Sequence, residues 1–115
     1  MRVFVYWNLH KGLWSVKAME GEHKGKVIAR VRGIALKDAD FRVSRAGRER
    51  VLREQRKNVH AGVVGEWMQG EDFFGTTQVT YNPYKYSTFV KKDSPEEVIR
   101  YAPKVNFLAD RRVFI

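Results

Sequence analysis

The chain contains no cysteine, and this absence excludes several kinds of chemistry at once. Without cysteine there is no disulfide framework, no thiolate-bound zinc and no thiol nucleophile. The three histidines, at positions 10, 23 and 60, lack the spacing of three or four residues that metal ligands on one helix would have, so we predict no metal site. Walker-type phosphate loops, dinucleotide glycine motifs and HExxH sequences are also missing, so we predict no cofactor.

Long apolar segments are missing as well. No stretch approaches the roughly 18 apolar residues of a membrane-spanning helix, and the N-terminal run MRVFVYWNLHK lacks the apolar core of a signal peptide. At 115 residues the chain is expected to form a single domain, residues 1–115, around one hydrophobic core. We therefore expect a soluble, intracellular protein that does not act at membranes.

Acidic residues are too few to balance the basic ones. Lys and Arg number 22 against 13 Asp and Glu, which gives a net charge of +9 and a pI near 10.0. A charge of this size indicates an anionic partner, such as nucleic acid, a nucleotide, an acidic protein or a membrane surface.

Much of this charge lies in residues 42–57, where seven basic residues face only two acids, Glu49 and Glu54. The basic residues are Arg42, Arg45, Arg48, Arg50, Arg53, Arg56 and Lys57. Arginine predominates, and its planar guanidinium suits bidentate contact with phosphate or carboxylate oxygens. The alternative is a solvated helix face with ion pairs at i,i+4 spacing, Glu49–Arg53 and Arg50–Glu54. Two acids can offset only two of the seven charges, so the sequence favours anion binding.

The hydrophobic pattern predicts an α+β fold, mostly an antiparallel β-sheet or open barrel, with one basic surface helix over about residues 44–57. Ser44 is the expected N-cap, and the apolar stripe of the helix is thin. Strands are predicted at 2–9, 13–19, 27–31, 34–36, 40–43, 59–68, 76–81, 86–91, 98–101, 105–108 and 113–115, with a bulge or bend at Gly33 and a loop at 69–75. Within residues 93–101 a short helix and a hairpin both remain open, and Pro103 favours the hairpin because it would cut a helix short.

The segment YNPYKY, residues 81–86, places three tyrosines and a lysine around an exposed proline turn. Tyrosines at such a turn can stack on a base while Lys85 contacts a phosphate. Simple packing at a sheet edge is the alternative, and Trp7 and Trp14 are expected to belong to the core. The candidate site therefore has phosphate-binding residues Arg45, Arg48, Arg53, Arg56, Lys57, His60 and Lys85, with Tyr84, Tyr86 and Asn82 for stacking on and reading a base.

His10 and His60 each follow a regular element and have a basic neighbour. Two such imidazoles could act as acid and base in phosphodiester cleavage. The alternative is that each one hydrogen-bonds a loop backbone, and no carboxylate pair accompanies them. We therefore predict no catalytic residue and no enzyme activity, with a His10/His60 phosphodiesterase as the minority hypothesis.

Three runs resemble those of a group of small proteins encoded by tailed bacteriophages: YWNLHK (6–11), RERVLREQRKNVHAGVVG (48–65) and YNPYKYSTFV (81–90). The resemblance brings no assigned activity, so no residue role follows from it. It implies an accessory phage protein made in the host bacterial cytoplasm, and such proteins often neutralise a host component.

Together these features predict an anti-defence or host-takeover protein that sequesters a phosphorylated nucleotide-type ligand without chemistry. The alternatives are a DNA- or RNA-binding module, or an inhibitor whose basic helix docks on an acidic host protein. The identity of the ligand, the host target and the existence of a homo-oligomer stay open.

Overall fold

One antiparallel sheet of ten strands and one short helix make up the described part of the chain, residues 1–69 and 73–115 of a computed structural model. The strands are β1 (Arg2–Asn8), β2 (Leu13–Ala18), β3 (Val27–Val31), β4 (Ile34–Val43), β5 (Ala61–Trp67), β6 (Gln78–Thr80), β7 (Val90–Lys91), β8 (Ser94–Val98), β9 (Tyr101–Phe107) and β10 (Val113–Phe114). The helix α1 spans Arg45–Glu54. The spatial strand order is β3-β2-β1-β5-β4-β9-β10-β6-β7-β8.

The core forms because β-branched and aromatic residues alternate along the central strands and bury the same face. Val3, Val5 and Val16 are fully buried, and they share one cluster with Val79 and Ile99 from the other end of the strand order. The sheet therefore folds over itself around this core. It is not closed into a barrel, because its two end strands, β3 and β8, do not pair with each other in the described residues. The predicted antiparallel sheet with one helix is confirmed.

The two tryptophans near the N-terminus belong to this core, as predicted. Trp14 is buried and packs edge-on between Trp7 and Phe107, with ring centroids 5.0 Å and 4.8 Å away. Its indole N–H donates to the carbonyl oxygen of Leu108 at 2.8 Å, so the one polar atom of the ring is satisfied.

Helix α1 ends at Glu54, earlier than the predicted boundary near residue 57. Gln55 adopts a left-handed conformation with φ 56°, and its N–H closes on the carbonyl oxygen of Val51 at 2.8 Å. This geometry terminates a helix. Arg56 and Lys57 therefore lie beyond its end.

Other strand boundaries also differ from the prediction. Strands 34–36 and 40–43 are one strand, β4, whose bulge is at Asp38 (φ 50°). The chain bends at Arg32, next to Gly33, between β3 and β4, which agrees with the bend predicted there. The predicted strands 98–101 and 105–108 are largely replaced by the continuous β9, which includes Pro103, and the predicted strand 86–91 shortens to β7. Residues 93–101 contain no helix: β7 and β8 form a hairpin around Lys92 and Asp93.

Residues 70–72 of the predicted loop at 69–75 lie outside the described residues. Within the described residues, no helix is long and apolar enough to cross a membrane.

Candidate anion-binding surface

Helix α1 is fixed at its first turn to the start of β5. The Ser44 hydroxyl oxygen accepts a hydrogen bond from the Gly47 N–H at 3.1 Å, which confirms Ser44 as the N-cap. The Ser44 N–H donates to the carbonyl oxygen of His60 at 2.7 Å. A Cβ atom at Gly47 would lie 2.6 Å from the His60 Cβ, so only glycine allows the helix to approach this closely.

His60 connects the helix to the tyrosine-rich turn. Its Nε2 lies 2.7 Å from the Tyr81 hydroxyl, and its Nδ1 lies 2.8 Å from the carbonyl oxygen of Asn58. A carbonyl can only accept, so Nδ1 carries a proton, and in the neutral imidazole Nε2 accepts from the Tyr81 O–H. The Tyr81 ring also packs against Phe89, with centroids 5.2 Å apart. Burial raises the pKa of Tyr81 above 10.0, and the nearby Arg48 charge opposes this shift.

Arg48 joins the same turn from the helix side. Its Nε donates to the carbonyl oxygen of Pro83 at 3.0 Å, and the side chain is half-buried. The structure therefore brings Arg48, His60 and residues 81–86 together, although they are far apart in sequence. The hydrogen bond from Arg48 to Pro83 was not predicted. Gly47 is a local signal only for the close approach of the helix to His60, because a glycine inside a helix often has a packing reason.

The remaining cations of the segment are exposed. Arg45, Arg53, Arg56, Lys57 and Lys85 all lie at the surface. Of the two ion pairs that the solvated-face alternative offered, Arg50–Glu54 is present at 4.0 Å, whereas Glu49 pairs with Arg45 at 3.3 Å and not with Arg53. Among the described residues, Arg53, Arg56 and Lys57 have no acidic partner within ion-pair distance.

The polar residues of the turn at 81–86 differ in their contacts and in their exposure. The Asn82 Oδ1 accepts from the Tyr84 N–H at 2.9 Å, and the Asn82 carbonyl oxygen accepts from the N–H groups of Lys85 and Tyr86 at 3.0 and 2.8 Å. Asn82 thus shapes the turn. Tyr86 is half-buried, whereas Tyr84 is 58% exposed and presents its ring to solvent.

His10 is not part of this arrangement. It lies exposed in the turn after β1, where its backbone N–H donates to the Asn8 Oδ1 at 3.0 Å. No hydrogen bond joins its imidazole to His60 or to any other described residue. The expected bond from the ring to loop backbone is therefore present at His60 and absent at His10. In the described ranges no group of three or more His, Asp or Glu side chains could hold a metal ion.

These observations define a small, β-rich, basic protein with exposed cations along one helix and an exposed aromatic ring on the turn that the helix contacts. The sequence profile of the family described as "Mycobacterium phage L5 gene 82 protein" matches residues 1–115, and the chain belongs to this family. The Gene 82 protein of Mycobacterium phage L5 is 48% identical over 98 residues, covering 78% of this chain and 77% of that protein. The resemblance to bacteriophage proteins is thereby confirmed.

No solved structure matches the chain. The names of the family and of the phage L5 protein state no activity, so a function has to be argued from the surface itself.

Proposed function

We propose that this phage protein binds a phosphorylated ligand without catalysis, on a basic surface formed by α1, residues 55–57 and the turn at 81–86. One observation carries this proposal: Arg53, Arg56 and Lys57 have no acidic partner among the described residues, and Arg53 lies on the helix that contacts the turn bearing the exposed Tyr84.

Charge is the first support. Cations that lie close together repel one another, and a nearby anion removes that repulsion. Guanidinium groups bind phosphate oxygens through paired N–H donors, which an ammonium group cannot do. The helix is also built to tolerate these charges, because Val51 is its one buried residue.

The openness of the surface favours nucleic acid as the ligand. Tight capture of a small nucleotide usually buries most of its surface in a concave site. Tyr84, Arg53 and Arg56 are instead exposed, on the turn, on the helix and just after the helix. Exposed cations with an aromatic ring suit a polymer that contacts several of them at once.

Sequestration of a nucleotide-type signal is the second candidate. The observation in its favour is that one exposed ring, Tyr84, adjoins Lys85 on a turn contacted by a basic helix, which is enough for one base and its phosphate. In either case the family membership suggests a role during infection, in host takeover or in countering a host defence. Binding in the host cytoplasm would then neutralise or protect the bound molecule.

The test is a titration with three kinds of ligand: a single strand of about 12 nucleotides, a duplex of the same length and a panel of cyclic dinucleotides and adenine nucleotides. Each is measured at about 50 and about 200 mM salt. We expect binding to a polymer whose affinity falls steeply with salt. Tight, weakly salt-dependent binding to one small molecule would support sequestration instead. If no nucleotide ligand binds, the proposal is wrong and an acidic host protein is the surviving explanation.

Two charge variants make the test specific. The Arg53→Gln/Arg56→Gln double variant should weaken binding at least tenfold. It should also reduce the slope of log affinity against log salt concentration by about two, because each phosphate contact contributes roughly one to that slope. The matched control, Lys92→Gln/Arg100→Gln, removes the same charge from the β7–β8 turn and the bend before β9. An equal loss in both variants would show that only net charge matters.

Absence of catalysis is tested separately. Wild-type protein is incubated with the same ligands and the products are separated by mass. We expect every ligand to be recovered intact. Turnover that disappears in His60→Ala or His10→Ala would replace the binding proposal with the phosphodiesterase hypothesis.

A further inference from the structure

Strand β1 carries aromatic side chains on the face of the sheet opposite the core. Val3 and Val5 are fully buried in the core. Because side chains alternate along a strand, Phe4 and Tyr6 point to the other face, which we call the outer face. Both are half-buried, and their ring centroids lie 5.8 Å apart with a tilt of 37°. Two neighbouring rings therefore occupy a face where polar residues would be expected.

The two rings are supported from below by the neighbouring strands. A Cβ atom at Gly62 of β5 would lie 2.5 Å from Cζ of Phe4, so the Phe4 ring rests directly on the β5 backbone. Ser15 of β2 pairs with Tyr6 of β1 and is fully buried. Its hydroxyl oxygen accepts a hydrogen bond from the Asn8 Nδ2 at 3.3 Å. The Phe4 ring is therefore held against the sheet, and the Tyr6 ring packs against Phe4.

Cations flank the aromatic pair. Directly paired residues of antiparallel strands share a face, and the register pairs Phe4 with Lys17 and Ser15 with Arg30. Neither Lys17 nor Arg30 has an acidic partner within the described part of the chain. On the other side Arg42 pairs with Gly62, two residues before the N-cap of α1. The outer face thus adjoins the start of the basic surface.

Acidic residues on the same face are largely neutralised. Asp40 lies 3.1 Å from Arg2 and 3.8 Å from Arg42, and Glu66 lies 3.1 Å from the N-terminal ammonium group. The area around the rings therefore keeps a positive excess that complements phosphate.

We propose that the outer face is a stacking platform for single-stranded nucleic acid, in which bases stack on Phe4 and Tyr6 while Lys17 and Arg30 contact the phosphates. Aromatic rings on an open sheet, flanked by cations, can stack on unpaired bases. Bases inside a duplex do not expose their faces in this way, so the platform selects single strands. This inference rests on the proposed function and specifies its ligand.

The experiment compares a thymidylate oligomer with an abasic deoxyribose-phosphate oligomer of the same length. Phe4→Leu/Tyr6→Leu keeps apolar cover on the outer face but removes both rings. We expect the wild type to prefer the thymidylate oligomer by about tenfold or more, the usual effect of one or two stacked bases. The double variant should lose most of this preference and keep its affinity for the abasic oligomer.

Tyr101→Leu is the matched control. Tyr101 pairs with Asp40 on the same face, is exposed, and donates its hydroxyl proton to the Asp38 carboxylate at 3.1 Å. The Asp38 carboxylate that its hydroxyl contacts repels phosphate, so this variant should behave as the wild type does. An equal loss of preference in Tyr101→Leu would overturn the proposed position of the platform.

The outcomes separate the two proposals. If the wild type binds neither oligomer, the proposed function itself is wrong. If it binds both equally, or if Phe4→Leu/Tyr6→Leu retains the preference, the platform alone is wrong. Should the double variant fail to fold, photocrosslinking of wild-type protein to an iododeoxyuridine oligomer decides instead. Crosslinks at Phe4 or Tyr6 support the platform, and crosslinks confined to other residues overturn it.

Discussion

Arg48 differs from the other arginines of α1 because, in the described residues, its side chain bonds a residue outside the helix. Its Nε donates to the Pro83 carbonyl oxygen and holds the turn at 81–86 against the helix. Replacing Arg48 would therefore change both the charge and the position of the turn. Arg53 and Arg56 lack such contacts in the described residues, so they are the better probes of binding.

Tyr84 is the tyrosine of the turn that is most available to a ligand. Tyr84→Ala should weaken binding of a single strand by about 1–3 kcal/mol, the usual value of stacking one base on an aromatic ring. Tyr86→Ala should affect the stability of the protein more than its affinity, because Tyr86 is half-buried. Isothermal titration measures the effect on affinity, and thermal unfolding measures the effect on stability. If Tyr84→Ala binds as tightly as the wild type, the turn does not contact the bases.

Tyr81 has a pKa above its usual 10.0, mainly because burial disfavours the phenolate, while Arg48 opposes the shift. The folded state therefore favours the neutral phenol. Its contribution to stability is complete below the ordinary pKa and is lost as the pH rises through the raised value. This loss is a property of the ionisable hydroxyl, so it should disappear when the hydroxyl is removed.

We therefore predict that Tyr81→Phe is less stable than the wild type at neutral pH by about 0.5–1.5 kcal/mol, through loss of the hydrogen bond to His60. The difference should shrink as the pH rises past about 10, and urea unfolding across this range measures it. Tyr86→Phe is the control, since the Tyr86 hydroxyl has no hydrogen-bond partner within the described ranges. A stability difference between the wild type and Tyr81→Phe that stays constant to high pH would contradict the raised pKa of Tyr81.

At the scale of elements, α1 depends on its ends more than on its apolar face. Ser44 caps its start, Gln55 closes its end, and Val51 is its one buried residue. The contact between Gly47 and His60 sets its position. The helix therefore behaves as an attached surface element that can carry exposed charge without disturbing the core.

Gly47→Ala tests this attachment. In an ordinary helix the change would stabilise by about 0.5–1 kcal/mol. Here the new methyl would meet the His60 Cβ at 2.6 Å, and such overpacking costs about 1–3 kcal/mol. We expect net destabilisation in urea unfolding, whereas the exposed Ala46→Gly should show only the propensity cost of about 0.5–1 kcal/mol. A more stable Gly47→Ala protein would mean that the helix does not press against His60.

The elements that could be predicted from sequence are those with a strong local pattern. Alternating Val, Phe and Trp residues predict β1 and β2 almost to their ends, and Ser44 predicts the start of α1. The bulge at Asp38 and the left-handed Gln55 could not be predicted, because neither residue is a glycine, the residue type that usually adopts a positive φ. Pro103 was expected to cut a helix short within residues 93–101, and it lies within the strand β9.

The residues of the candidate surface could be predicted from the sequence, but their positions relative to one another could not. The cluster of arginines and the tyrosine turn are evident in the sequence. That Arg48 contacts Pro83, 35 residues away, follows only from the folded sheet. The exposure of Phe4 and Tyr6 on the outer face could not be predicted for a different reason. Both faces of β1 are apolar, so alternation alone cannot show which one is buried.

At the scale of the whole molecule, the basic cluster and the hydrophobic core come from different segments of the chain. The buried cluster comes from the strands, while α1 and residues 55–57 carry a large share of the +9 net charge. Because cations at the surface add little to folding stability, removing two of them should leave thermal unfolding almost unchanged. Binding and stability can therefore be measured independently in the charge variants.

The most direct test of the binding surface is a titration of ¹⁵N-labelled protein with a short single strand, followed by amide chemical shifts. We predict large changes in residues 45–57 and 81–86, in addition to those that the stacking platform causes around Phe4 and Tyr6. The changes in residues 45–57 and 81–86 should shrink in Arg53→Gln/Arg56→Gln but not in Lys92→Gln/Arg100→Gln. Changes confined to other parts of the protein, or no change at a ligand excess that saturates an ordinary nucleic-acid-binding protein, would contradict it.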